Sequence, residues 1–304
     1  MKDMKKYTRR HHKKNKFGGK TRKKHKMIKE KCSPKKKEDE LDFTCYSKDA
    51  LHTLKSWWNI RHPDVKINSN DPREIWNHLK FNMRSICKKE SCWLKHKFIK
   101  NKLPSEFYIS NFSPKQPKEW TKKPNAWLSS IEIEQLMKQY EKKYSNFIFL
   151  GPSPIDYNTH KLHNECVWED ICKFSLLETK KEGITKVGLI FNLDPHYKDG
   201  SHWVAMFIDI KKKEIYYFDS YGDNIPSRLK KFVRNIKKQA RNIGEKYSFK
   251  QTTRRHQYSS TECGMYSLYF IIKLLDERTK IEFFDKKIND KYMKKLRNIY
   301  FNKR

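Results

Sequence analysis

The period of the apolar positions changes along the chain. Ile75, Leu79, Met83 and Ile86 recur at helical spacing, and Asp71-Pro72 supplies an N-cap with proline at the first helical position, so a helix is predicted over 72–86. Residues 49–57 and 91–99 read the same way. Ser129-Ser130-Ile131-Glu132 is a capping-box pattern, and Ile133, Leu136, Met137, Tyr140 and Tyr144 then share one helical face. Short apolar runs with strand character follow at 147–150 and 187–193. Residues 202–210 and 214–219 read as two strands joined by Lys211-Lys212-Lys213, a predicted hairpin. Leu229, Phe232, Val233, Ile236 and Ala240 mark an amphipathic surface helix, a polar strand is predicted near 247–253, and an apolar helix begins at about Cys263. Helices packed with a largely antiparallel sheet give an α+β class.

Composition divides the chain. Residues 1–40 hold 15 Lys and 3 Arg against 5 Asp/Glu with few aromatic or β-branched residues, which predicts a disordered basic tail. Ser113-Pro114-Lys115-Gln116-Pro117 and Lys123-Pro124 read as a linker. The expected organisation is therefore a tail over 1–40, a helical arm over 41–115 and a further domain over 116–304. The whole chain has 304 residues and a formal charge of +34, so non-specific nucleic acid is an expected partner of the tail and basic surface; no groove-reading motif points to sequence-specific binding. No run approaches the ~18 apolar residues of a membrane span, and the charged N-terminus does not read as a signal peptide. Seven cysteines at irregular spacings suggest free thiols in a reducing compartment.

The candidate chemistry lies on the hairpin. His202 opens one strand and Asp219 closes the next, so antiparallel pairing brings both to one end of the sheet. Cys263 follows the turn-rich Tyr258-Ser259-Ser260-Thr261-Glu262 and opens the apolar helix, where free N–H groups and the helix dipole favour a thiolate. A thiol so placed, a histidine base and an orienting carboxylate are the parts of a cysteine nucleophile. Gln257, six residues earlier, can donate beside the Cys263 N–H to an oxyanion. Each residue alone is commonplace, since a cysteine opening an apolar helix is usually a buried small residue. Their joint order carries the argument.

His202-Trp203, Phe218-Asp219-Ser220, Gln257 and Glu262-Cys263-Gly264 resemble the SUMO/ubiquitin-like cysteine protease family, and adenovirus endopeptidase is similar in the order His, acid, Gln, Cys. Trp127-Leu128-Ser129-Ser130 resembles that family's Trp-Leu-Asn-Asp element; Glu262 stands where Asp is commoner, a departure expected to leave catalysis untouched. Cys45-Tyr46, Trp76, Cys87, Glu90-Ser91-Cys92-Trp93-Leu94 and Phe149-Leu150-Gly151-Pro152 further resemble the virion-maturation proteases of large nucleocytoplasmic DNA viruses.

The resemblance implies a papain-like/ubiquitin-like-protease core with a mixed, largely antiparallel sheet flanked by helices. It implies a Cys263–His202–Asp219 triad with Gln257 in the oxyanion hole, and Trp127 and Trp203 as walls of a slot for diglycine substrates. The implied activity is cleavage of viral structural precursors after Gly-Gly sites, in the virion and the host cytoplasm at the viral factory, with no metal or organic cofactor. The readings set against it are an isopeptidase for ubiquitin-like modifiers, an acyltransferase with the same triad, and a basic virion protein with a dead site. Cys87, Cys92 and His96 with Cys45 have zinc-ligand residue types, but residues five apart on a helix face different ways, so buried thiols are expected there. Cys166 and Cys172 read as packing residues. Gly18-Gly19 is the chain's one adjacent glycine pair and a candidate self-cleavage site.

Overall fold

The computed structural model describes residues 27–104 and 106–304. Residues 1–26, with Gly18-Gly19, lie outside the described residues. The arm contains α1 (Lys48–Arg61), α2 (Pro72–Met83) and α3 (Glu106–Asn111). Asp71 caps α2 by accepting from the Glu74 N–H, with Pro72 at the first position. Residues 91–99, predicted helical, form only a 3-10 turn over Glu90–Lys95. The arm has its own core, built on Tyr46, Leu51, Leu54, Trp58, Leu79 and Trp93.

Part of the segment predicted as a basic tail is packed. Residues 27–40 lie against the arm: the Ile28 N–H donates to the Lys88 carbonyl, the Ser33 N–H donates to Asn111, and buried Glu30 accepts from the Ser91 N–H and hydroxyl. Cys32 is bonded to Cys45, which closes this segment onto the arm. Local composition could not reveal these partners, because they lie 13 to 78 residues away in sequence.

The free-thiol expectation is corrected at six positions. Cys32–Cys45, Cys87–Cys92 and Cys166–Cys172 are disulfides with Cα atoms 4.9, 5.6 and 6.3 Å apart, within the span a bridge requires. Cys263 is the one free thiol. The odd count thus reflects three bridges and one remaining thiol, and it carries no argument for a reducing compartment.

The second half is built on a sheet of β1 (Phe147–Phe149), β2 (Ser153–Pro154), β3 (Lys186–Asn192), β4 (Trp203–Asp209), β5 (Glu214–Phe218) and β6 (Ser248–Gln251), in the order β1-β3-β4-β5-β6 with β2 also on β3. β3, β4 and β5 pair antiparallel, while β1, β2 and β6 join in parallel. Helices α4 (Ser130–Lys143), α5 (Glu169–Cys172), α6 (Leu176–Lys181), α7 (Ser227–Asn242), α8 (Cys263–Leu275) and α9 (Asp290–Tyr300) flank it. The predicted capping box of Ser129 and Glu132 starts α4.

Every residue of β4 is buried, because helices cover both faces of the sheet. Ala205, Phe207, Tyr216 and Phe218 pack with α4 and α8. Val204, Met206, Ile208 and Tyr217 pack with α7. The architecture is α+β: a mixed sheet flanked by helices.

The segment read as a linker is held in place. The Gln116 N–H donates to Asn302, and the Asn302 N–H donates to Pro114. The Asn302 side chain accepts from the Lys31 N–H at 2.6 Å and donates to the Lys31 and Ser113 carbonyls at 2.8 and 3.1 Å. From α4, Gln139 donates to the Ile109 and Phe112 carbonyls, both at 2.8 Å. Arm and catalytic region therefore share a polar seam.

Candidate active site

The register of β4 and β5 pairs Ala205 with Phe218, so His202 and Asp219 emerge at the same end of the sheet. His202 Nε2 lies 2.8 Å from Asp219 Oδ1, with the two residues 8 % and 1 % exposed. The Tyr221 N–H donates to the same oxygen at 2.8 Å. A tight turn makes this second bond, and Gly222 allows the turn: its φ is +83°, and a Cβ there would meet the Thr253 carbonyl at 2.7 Å.

Cys263 is the first residue of α8 and nearly buried. Its thiol is close enough to the His202 ring to raise the ring's pKa. Because Nε2 is engaged by Asp219, Nδ1 is the ring nitrogen left for the sulfur. Burial alone lowers the pKa of His202, but the hydrogen bonds and charges of Asp219 and Cys263 outweigh it and raise the value to about 9. The imidazolium is therefore the favoured form at neutral pH.

Gln257 is fully buried. Its Oε1 accepts from the Ser220 hydroxyl at 2.7 Å, and its Nε2 donates to the Ser259 carbonyl at 2.6 Å. The second amide hydrogen has only a long contact, 3.4 Å, to the Tyr221 hydroxyl, which leaves it weakly used. The Gln257 N–H also donates to the Ser220 carbonyl at 2.8 Å, so the residue after Asp219 fixes both its backbone and its amide.

Trp127 and Trp203 line one cleft of about 580 Å³, together with Trp168 and Pro154. Trp127 is 40 % exposed, whereas Trp203 is nearly buried and donates from Nε1 to the Leu128 carbonyl at 3.1 Å. The residue after Cys263 must be small here. A Cβ on Gly264 would meet the Leu128 side chain at 3.1 Å, so glycine lets α8 approach the Trp127-Leu128 segment.

Two features escaped the sequence reading. Tyr221 stacks on His202 at 4.7 Å between ring centroids and 17° between planes, and faces Gln257 with its hydroxyl. Its place immediately after Asp219-Ser220 was the only available signal. The second feature is Glu262, whose departure from Asp was expected to be neutral. It is fully buried and accepts from Arg297 Nε at 2.8 Å. Arg297 also donates to the Ala126 and Thr261 carbonyls and lies 4.3 Å over the Trp120 ring. The residues flanking Trp127 and Cys263 are thus tied to one guanidinium.

Residues 178–304 match the sequence profile of the Ulp1 protease family, C-terminal catalytic domain. That region belongs to the Ulp1 protease family. A protein of Acanthamoeba polyphaga mimivirus, provisionally named a thiol protease, is 28% identical over 89% of this chain and 92% of its own length. A cysteine protease of African swine fever virus (isolate Tick/Malawi/Lil 20-1/1983) is 26% identical over 80% of this chain and 93% of its own. The crystal structure of an African swine fever virus protease shares the fold, with a TM-score of 0.63 and 23% identity, over 89% of this chain and 95% of that one. The protein is a cysteine-type peptidase, similar to these viral thiol proteases.

His160, Cys166 and Cys172 bring their ligand atoms within 4.8 Å of one another, but both sulfurs are committed to the disulfide. Among the described residues, no helix is long and apolar enough to cross a membrane.

Proposed function

We propose that the protease cleaves viral structural precursor proteins after Gly-Gly sites, in the virion and the host cytoplasm, through a Cys263–His202–Asp219 triad. The supporting observation is the buried His202–Asp219 contact at 2.8 Å, with Cys263 at the start of α8 beside the same ring. Cys263 Sγ attacks the carbonyl carbon of the glycine, and His202 holds the thiol proton. The developing oxyanion lies between the Cys263 N–H, unpaired at the start of α8, and the weakly used hydrogen of Gln257. His202 then protonates the leaving amine, which departs and leaves a thioester. Water, deprotonated by His202, hydrolyses the thioester and restores the thiol. Asp219 holds the ring orientation and stabilises the imidazolium.

The two tryptophans of the cleft support a diglycine preference. Between an exposed Trp127 and a fixed Trp203, a segment without side chains reaches a nearly buried sulfur most readily. Purified virion precursors incubated with the wild type and with Cys263→Ala, with product termini read by mass spectrometry, test the proposal. The expected result is new termini immediately after Gly-Gly, with wild type only. Cleavage at other sequences, or by the variant, rejects it.

A further inference from the structure

Helix α7 presents six exposed basic residues, Arg228, Lys230, Lys231, Arg234, Lys238 and Arg241, and contains no acidic residue. None of the six has a carboxylate partner among the described residues. Its opposite face, through Leu229, Phe232, Val233, Ile236 and Ala240, is buried in the core.

This charge distribution opposes helix electrostatics. Every other α-helix except the apolar α8 has an acidic residue in its first turn, where the helix dipole favours one; α7 has Arg228 there. Arg234 is spaced three or four residues from Lys230, Lys231 and Lys238, so like charges are neighbours along the same face. Glu245, the first carboxylate after the helix in sequence, is already paired with Lys180 at 2.6 Å and Lys213 at 3.4 Å. Exposed Lys211 and Lys246 extend the basic surface past the end of the helix.

We propose that α7 is a binding site for the phosphate backbone of double-stranded nucleic acid, without sequence readout. The helix offers a rigid line of cations about 20 Å long, and a duplex offers a rigid line of anions about 1.7 Å apart along its axis. The outer face has no aromatic residue on which unpaired bases could stack, which favours a duplex over a single strand. Its apolar side chains are consumed by the core, so none is left to insert into a lipid surface. α7 covers the sheet face opposite α8, so a duplex seated there leaves the Trp127–Trp203 cleft open. The protease is then held on nucleic acid while its cleft remains free for protein.

The test uses the full chain and a short labelled DNA duplex of arbitrary sequence. One variant carries Lys230→Gln, Lys231→Gln, Arg234→Gln and Lys238→Gln; a control carries Lys48→Gln, Lys66→Gln, Lys97→Gln and Lys118→Gln at exposed sites elsewhere. Between ~50 and ~200 mM salt, the wild type is expected to lose about 10²-fold more affinity than the α7 variant, reflecting about four fewer phosphate contacts. The control keeps a slope near that of wild type, and peptide cleavage by the α7 variant is unchanged, which reports its fold. No duplex binding by wild type, an unchanged slope in the α7 variant, or an equal loss in the control overturns the site. Retention of wild type by phosphatidylserine vesicles at a salt concentration that releases the duplex also overturns it, in favour of a membrane surface.

Discussion

Arg297 and Glu262 form an ion pair at 2.8 Å with the two side chains only 4 % and 0 % exposed, and Glu262 directly precedes Cys263. A charge pair this deep gains little over an apolar pair of the same shape, but breaking it leaves one charge buried and uncompensated. Arg297→Ala is expected to destabilise the fold by about 3–5 kcal/mol, measured by denaturant unfolding. The double variant Glu262→Gln with Arg297→Met removes both charges and should recover much of that stability. Its turnover should remain low, because the Ala126 and Thr261 carbonyls lose the donor that fixes the segments bearing Trp127 and Cys263.

The proposed oxyanion hole depends on how the Gln257 amide is aimed. Gln257→Ala should lower kcat by about 10²–10³ with a smaller change in KM. Tyr221→Phe keeps the ring stacked on His202 and removes only the hydroxyl facing the amide, so kcat should fall by less than tenfold. Tyr221→Ala loses the stack as well and should fall further. Single-turnover kinetics on a Gly-Gly peptide separate the three variants, and a Gln257→Ala enzyme with unchanged kcat removes that residue from the hole.

The raised pKa of His202 sets the direction of a pH effect. The protonated ring persists up to about pH 9 and is lost above it, so activity that needs the imidazolium should fall on the alkaline side with a midpoint near 9. Asp219→Asn removes a hydrogen-bonded anion that raises the value, which should move the midpoint to lower pH. The same sign applies to stability: the folded value exceeds the ordinary 6.5, so the charged ring contributes fully below pH 6.5, and that contribution is lost as pH rises through 9. A kcat/KM profile of both enzymes measures the shift.

Thiol titration tests the bridges directly. Native protein should react with one equivalent of an alkylating reagent, at Cys263, and reduced, unfolded protein with seven. Loss of the Cys32–Cys45 bridge should cost up to about 3 kcal/mol, the value expected for a loop of this size.

Gly18-Gly19 provides a test inside the chain's own sequence. If diglycine is the recognised feature, wild-type protein held at high concentration should acquire Lys20 as its new N-terminus, while Cys263→Ala keeps Met1. N-terminal sequencing of both, side by side, gives the answer. A wild type that keeps Met1 while cleaving a Gly-Gly peptide shows that the pair is not a substrate.

Local signals were strong wherever one element contained its own pattern. Asp71-Pro72, the Ser129–Glu132 box, the hairpin at Lys211–Lys213 and the helix at Cys263 were all legible, and the hairpin alone brought His202 to Asp219. The misses have one physical cause. The partners of Glu30, Cys32 and Asn302 lie elsewhere in the chain, so composition read 27–40 as a tail and 113–117 as a linker. α9 carries helical spacing in Met293, Leu296 and Tyr300 with Asn289 as its cap, but its importance rests on Arg297 meeting Glu262, 35 residues away. No local period encodes that contact.

The seam closed by Asn302 also sets an order in time. Cys263 emerges from the ribosome well before Arg297, and the arm before either, yet the residue that fixes the segments around the nucleophile and the residue that joins the arm to Pro114 both come from the stretch 290–302. A nascent chain that ends before this stretch holds all the proposed catalytic side chains without the contacts that aim them. Helix α9 and the two residues after it therefore act as a latch on the site: a chain cut before residue 290 is expected to keep His202, Asp219, Gln257 and Cys263 and to lose activity.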